Sequence, residues 1–417
     1  MKKYVYSFMG NSAEGSAAMY KVLGGKGANL AEMTNLSIPV PPGFTISTEV
    51  CTYYMKHNKY PSGFKTQVEK ALHDMEQEIN KLFGNQNNPL LLSVRSGARQ
   101  SMPGMMETVL NIGLTSNTIP GLIQQTKNPR FVYDSYRRLL MMYADVVMET
   151  NSENHNIRLQ LEDILNKIKK KNNYNDDSEL SDIELIELCK IFKNKIFEVF
   201  GEEFPDNPLN QLWGSIEAVL QSWNGKRAVN YRNIENIPHD WGTAVNIQCM
   251  VFGNMGNDSA TGVAFTRNPS TGENKLFGEW LRNAQGEDVV AGIRTPQPIG
   301  NESKQDLKYQ MPSMYKQLNQ IQKKLETHYN EMQDIEFTIE NKKLWLLQTR
   351  NGKRNGLATI KIGIDMLEEK MHTEKMLLQK ISPQHINEIL LSIINYKKIQ
   401  NSNIIAKDVN FCRFMPR

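Results

Sequence analysis

Apolar positions in the first 110 residues fall in short runs broken by glycine and proline. Tyr4–Phe8 alternates and predicts a strand. Gly24-Gly25-Lys26-Gly27 then forms a glycine loop before a helix that starts at Ala28. Val40–Ile46 reads as a turn entering a strand, and Ser47-Thr48-Glu49 opens a helix through Tyr54. Residues 64–83 carry Val68, Leu72, Met75, Ile79 and Leu82 at helical spacing. The run Leu90-Leu91-Leu92 predicts a short buried strand.

From Pro129 to about Phe200 the spacing is helical almost throughout, in three stretches marked by Tyr133–Val147, Leu159–Ile168 and Leu185–Phe200. A further helix is expected from Pro208 to Trp223. Strand and turn signals return over 243–350, beginning with the alternating Ala244–Phe252 and ending in a hairpin, Asp334–Ile339 against Leu344–Arg350. One helical stretch, Tyr315–Asn330, interrupts them. The pattern is that of an α+β domain over 1–352 with a helical insertion at about 115–200. Residues 353–407 read as a helical linker arm, and 408–417 as an aberrant tail.

Net charge is +4, small for 417 residues, so neither a nucleic-acid surface nor a polybasic membrane patch is expected. Cys51, Cys189, Cys249 and Cys412 are far apart, without a C-x-x-C pair, which argues against a zinc or dithiol site. The N-terminal apolar run fails by Gly10 and no stretch reaches membrane-spanning length, so no export and a cytoplasmic location are expected.

Candidate chemistry concentrates in three places. In Ser93–Gly113, Arg95 and Arg99 sit among small residues, ahead of a Met102-Pro103-Gly104-Met105-Met106 loop that could close over a ligand. Small residues admit close approach of a ligand to the backbone, and guanidinium forks suit phosphate oxygens. Glycine-loop amides with Lys26 also suit phosphate, although the sequence does not match a P-loop. In the hairpin, a turn centred on Lys342 would set Glu336 opposite Gln348 and Asp334 opposite Arg350. That face is either a Mg²⁺–nucleotide ligand set or a surface hairpin with a modest ion pair. Arg137 and Arg138 lie amid aromatics, where packing or an ion pair is the ordinary role; Gly286–Gly292 sets Glu287 and Asp288 between glycines, as a nucleotide-lining hinge or a turn.

In order and spacing these segments resemble the N-terminal, nucleotide-binding part of the pyruvate, phosphate dikinase family, across residues 4–352. The resemblance includes Gly24–Met33, Pro39–Phe44, Ser93–Gly113, Tyr136-Arg137-Arg138, Ser259–Pro269, Gly286–Gly292, Met332–Thr338 and Leu347–Arg354. Phosphoenolpyruvate synthase is a relative of the same architecture, but its arginine segment lacks the Met-Pro-Gly-Met-Met run. The resemblance implies an ATP-grasp fold that binds ATP between two subdomains and passes its β,γ-pyrophosphoryl group to a histidine on a swivelling domain. By that likeness Lys26 and Arg95 would hold phosphates, Arg137 would assist, and Glu287 and Asp288 would line the nucleotide site. Asp334, Glu336 and Gln348 would bind the Mg²⁺–ATP end, with Glu336 and Gln348 as metal ligands. Arg350 would lie nearby, and Arg95 and Arg350 would act on the transferring group.

The family's Gly-Gly-x-Thr-Ser-His-Ala type motif does not occur in this sequence, and the tail from Asp408 resembles nothing in the family. A chain truncated before the phosphohistidine domain, and so without the family's pyruvate barrel, is therefore expected, with phosphoryl transfer only if a separately encoded histidine domain supplies the acceptor. The alternative is a non-catalytic module that binds ATP and Mg²⁺.

Overall fold

The structure is a computed structural model, and it describes residues 2–149, 155–290, 294–301 and 303–390. The chain mixes helix and sheet. It opens with β1 (Val5–Met9), β2 (Ser12–Ala13), α1 (Tyr20–Asn35), β3 (Gly43–Ile46), α2 (Thr48–His57) and α3 (Phe64–Ile79). Within α1, Gly24 departs from helical geometry at φ 66°, ψ 171°, so the expected glycine loop is a kink between two helical segments. Helix α3 stops at Ile79, short of the expected 83, because Asn80 adopts the left-handed conformation and caps it. Leu82 then enters a short strand, β4 (Leu82–Phe83), beside β5 (Pro89–Leu90).

Next come β6 (Leu92–Ala98), β7 (Thr108–Ile112) and the helical insertion: α4 (Ile119–Thr126), α5 (Pro129–Tyr143), α6 (Ile157–Asn172) and α7 (Asp182–Phe200). Its boundaries are written in capping residues. Asn128 caps α5 ahead of Pro129, a capping box of Ser181 and Glu184 starts α7, and Gly201 at φ 69° ends it. The chain continues through α8 (Pro208–Ser222), α9 (Lys226–Ile234), β8 (Thr243–Cys249), β9 (Ala260–Phe265), β10 (Phe277–Arg282), α10 (Gly286–Val290) and β11 (Gln297–Ile299). It then runs through α11 (Leu307–Gln310), α12 (Pro312–Tyr329), β12 (Gln333–Glu340) and β13 (Lys343–Asn351) to α13 (Gly356–Glu368), α14 (Glu374–Lys380) and α15 (Pro383–Leu390). Within the segment expected as an arm, 356–390 holds α13, α14 and α15, whereas 391–407 and the tail at 408–417 lie outside the described residues.

One sheet has the order β2–β1–β3–β8–β6–β7, antiparallel throughout; a second has the order β11–β10–β9–β12–β13. The chain divides into two compact units. The first comprises residues up to Gly262 with Leu281–Pro296 and Glu336–Thr349. Its core gathers Phe44, Ile46, Val94 and Ile247 from the sheet with Phe64, Leu139, Phe192 and Ile216 from the helices. The second comprises Val263–Trp280, Gln297–Ile335 and the described residues from Arg350. Met332, Ala358, Ile362 and Met366 form a core there, and the fully buried Arg267 pairs with Glu326 at 3.0 Å and Glu369 at 2.6 Å.

Candidate functional site

Strand alternation decides what each face of the first sheet carries. Val94 pairs with Ile247 and Ile247 with Phe44, giving an apolar row. The neighbouring row is polar: Arg95 pairs with Asn246, and Asn246 with Thr45. Gln248 stands on the same face, two residues from Asn246 along β8. All but Arg95 are buried, and Thr45 Oγ1 donates to Asn246 Oδ1 at 2.9 Å.

The kinked helix α1 lies against this polar row. A Cβ on Gly27 would come within 2.7 Å of Thr45 Cγ2 and 2.8 Å of Asn246 Oδ1. A Cβ on Gly24 would lie 1.7 Å from the Gly97 carbonyl oxygen. Glycine at these positions is therefore a packing requirement, and it places the half-buried Lys26 beside the strand of Arg95.

Arg95 Nη2 donates to Gln248 Oε1 and, at 3.3 Å, to the Leu347 carbonyl. Asn29 Nδ2 on α1 donates to the Thr349 carbonyl at 2.9 Å. The arginine strand and the glycine helix thus each grip β13 at the residues flanking Gln348. Burial lowers the Arg95 pKa, and the negative charge of Glu336 offsets part of that shift. The Nε atoms of Arg95 and Arg99 are buried without a hydrogen-bond partner. Arg99 stacks its guanidinium 5.2 Å from the Trp241 ring. Beyond it, the Met-Pro-Gly-Met-Met segment is an irregular loop in which Met102 is buried and Gly104 turns at φ 69° with open space around it. Glu107 tethers the end of that loop to Arg227 at 2.8 Å.

The second grouping lies on α5. Arg138 reaches Glu287 at 3.2 Å and Asp288 at 2.9 Å on the short helix α10, and Asp134 at 3.1 Å. Arg137 is buried and turned elsewhere, to Asp134 at 2.7 Å and Asp177 at 3.4 Å. Burial pushes the Asp134 carboxyl upward, but Arg138 and Arg137 outweigh it and hold the carboxyl far below the usual range. The expected hinge at Gly286–Gly292 is helical as far as Val290; residues 291–293 lie outside the described residues.

In the hairpin, Asn341 and Lys342 are both left-handed (φ 47° and 64°), the geometry of a two-residue type I′ turn. The turn is therefore centred between these residues, half a residue from the expected centre. Counting from it alone would displace Gln348 from Glu336 by one position. Along β13, however, buried positions run Leu344, Leu346, then Thr349, a one-residue change of phase of the kind a β-bulge produces. In the second unit Arg350 Nε donates to Asp334 at 2.7 Å.

The strand of Arg95, the helix that carries Lys26 and the residues flanking Gln348 thus meet at the polar row of the first unit, with Glu336 near enough for its charge to act on Arg95. Asn246 and Gln248 were not among the expected site residues, although polar side chains at every second position of a strand were a visible signal. The sequence marks Arg138 but not its partners, which lie 149 and 150 residues away in sequence. A cleft of about 790 Å³ lined by Tyr54, Tyr60, Lys65, Glu217 and Gln221 contains none of these residues. Among the described residues, no three His, Cys, Asp or Glu side chains form a metal cage, and no helix is long and apolar enough to cross a membrane.

Comparison with known families decides what this arrangement belongs to. Residues 20–63, 60–311 and 303–371 match the family described as "Pyruvate phosphate dikinase, AMP/ATP-binding domain". The chain belongs to that family. It is similar to the pyruvate, phosphate dikinases of Rhizobium meliloti (50% identical, covering 94% of this chain and 44% of the relative) and Clostridium symbiosum (48%; 97% and 45%). It also resembles the dikinase of Entamoeba histolytica (47%; 93% and 42%). The chain spans less than half the length of these dikinases, over their nucleotide-binding family region.

Proposed function

We propose that this chain is the ATP-binding portion of a pyruvate, phosphate dikinase, built on an ATP-grasp fold over residues 1–352 and followed by a linker. The observation that carries the reading is the grip of Arg95 and α1 on the β13 residues either side of Gln348. It sets the Arg95 guanidinium and the helix that carries Lys26 against the strand that carries Gln348, which supports the reading. The partnerless Nε of Arg95 is a strong donor that suits a phosphate oxygen.

In this reading Lys26, Arg95 and Arg350 hold phosphate oxygens, and Glu287 and Asp288 line the nucleoside end, steadied by Arg138. Arg137 contributes indirectly, sharing Asp134 with Arg138. Asp334, Glu336 and Gln348 serve the metal-bearing end, with Glu336 and Gln348 as Mg²⁺ ligands. An acid and an amide suit an ion that takes one or two protein carboxylates, with phosphate and water completing its shell. When bound, the ion supplies charge neutralisation on the phosphate oxygens. The rest is positioning: the donors align the triphosphate for attack by a histidine nitrogen on the β-phosphorus, with AMP leaving. In the whole reaction ATP, phosphate and pyruvate become AMP, diphosphate and phosphoenolpyruvate; a separately encoded histidine domain would accept the phosphoryl group, and a pyruvate-binding barrel would pass it from that histidine to pyruvate.

The test mixes the chain with β-³²P-labelled ATP, with and without a separately made histidine domain. Label appearing on the added domain only when both proteins are present supports the reading. ATP binding without transfer leaves a nucleotide-binding module, and no calorimetric ATP binding contradicts the reading altogether.

A further inference from the structure

The polar row of the first sheet contains a group whose place in the site is set by geometry alone. Gln248 is 1% exposed, and its carboxamide is used at both ends. Nε2 donates to the Pro41 carbonyl at 2.9 Å, which fixes the amide orientation, and Oε1 accepts from Arg95 Nη2. An amide held this way can meet a guanidinium only through its oxygen. The second acceptor on the same nitrogen, the Leu347 carbonyl, lies on β13. Arg95 is therefore clamped through Nη2, while its Nε is left without an acceptor. A long side chain loses rotamer freedom when it binds a ligand, and a clamp in the free protein removes that cost beforehand.

Resting on the reading of Arg95 as a phosphate ligand, we propose that Gln248 is a positioning residue. It pre-orients the Arg95 guanidinium, through Nη2 and anchored on Pro41, so that the remaining N–H groups face the triphosphate of ATP. A neutral amide suits this task better than a carboxylate, which would neutralise the arginine and compete with the phosphate for it. Neighbouring Asn246 does not serve in its place: its oxygen is taken by Thr45, and its amide reaches toward the Arg95 carbonyl, not the guanidinium.

The experiment is calorimetric titration of the full chain with Mg·ATP and with AMP, for wild type, Gln248→Met, Arg95→Ala and the double variant, with melting curves for each. Gln248→Met keeps length and burial but removes both hydrogen bonds. We expect it to weaken Mg·ATP binding about tenfold, as for loss of one charge-assisted hydrogen bond, and AMP binding by about twofold at most. In the Arg95→Ala background the same change should have no further effect. A merely structural role would weaken both nucleotides alike and in both backgrounds, and that result overturns the proposal. Gln248→Asn, which withdraws the amide by one methylene, should give the same ATP-selective loss and serves if the Met variant does not fold. Should Arg95→Ala bind Mg·ATP as wild type does, the reading of Arg95 itself falls. Should Arg95→Ala lose binding while neither Gln248 variant does, only the positioning role falls.

Discussion

Gly24 and Gly97 meet backbone to backbone: a side chain on the first would stand 1.7 Å from the carbonyl oxygen of the second. This contact lets α1, the helix that carries Lys26, lie on β6, the strand that carries Arg95. Gly24 also adopts φ 66°, where L side chains are strained. Gly24→Ala should cost at least ~2 kcal/mol, from the left-handed backbone and the overlap together. The expected outcome is a lower unfolding midpoint in denaturant, with weakened nucleotide binding even where the protein remains folded. A variant as stable as wild type would contradict the contact.

Arg95→Lys separates charge from geometry. Lysine keeps the positive charge opposite Glu336 but cannot reach Gln248 and Leu347 together while still offering a forked donor. Mg·ATP affinity should fall by ~10-fold or more, the scale of one charge-assisted hydrogen bond, while the melting temperature shifts little. Calorimetry beside a thermal melt checks both halves, and undiminished affinity would show that the fork is not used.

Asp134 anchors the insertion through Arg137 and Arg138, and removing it leaves two guanidinium groups buried without that partner. Asp134→Ala should destabilise the first unit by ~3–5 kcal/mol. The pH dependence follows from the carboxyl being held below its ordinary 3.8 in the folded protein. The contribution is complete above that value and is lost as pH falls through the depressed folded-state value. Wild type should therefore lose stability on acidification below about pH 4, and Asp134→Asn should flatten this limb. Equal acid sensitivity in both proteins would argue against the cluster.

The thiols of the buried Cys51 and Cys189 and of the half-buried Cys249 give a chemical check on the core. Burial raises Cys51 to about 11 and both Cys189 and Cys249 to about 12. Thiolate is the reactive form, so at pH 8 a disulfide reagent should leave all three unmodified until denaturant is added. Peptide mapping after a short exposure identifies the labelled sites. Rapid native labelling of Cys51 would contradict its place beneath α8.

Much of this was readable from residue order because local rules and tertiary packing agree. The helices of the insertion and the glycine turn each carry their own signature in pattern and turn chemistry, whereas the strand expected at Leu90–Leu92 is divided between β5, ending at Leu90, and β6, which runs from Leu92 through Arg95 to Ala98. The end of α3 is hidden in the sequence because apolar spacing continues through Leu82 while the left-handed Asn80 stops the helix. Gln248 and Asn246 carry no local mark of their place beside Arg95, because only the pairing of β8 with β6 brings them there. Arg138 needed α10, far along the chain, to reveal its partners. Residues that act through long-range pairing leave little local trace, and their roles emerge only from the register.

The central claim is that the glycine turn, the arginine strand and the hairpin strand converge on one triphosphate. Hydrogen exchange of the full chain, with and without saturating Mg·ATP, tests this directly. The account predicts that amides over Gly24–Asn29, Arg95–Arg99 and Leu347–Thr349 slow together on nucleotide addition and revert in Arg95→Ala. Protection confined to other segments, or none at all with ATP demonstrably bound, would contradict it.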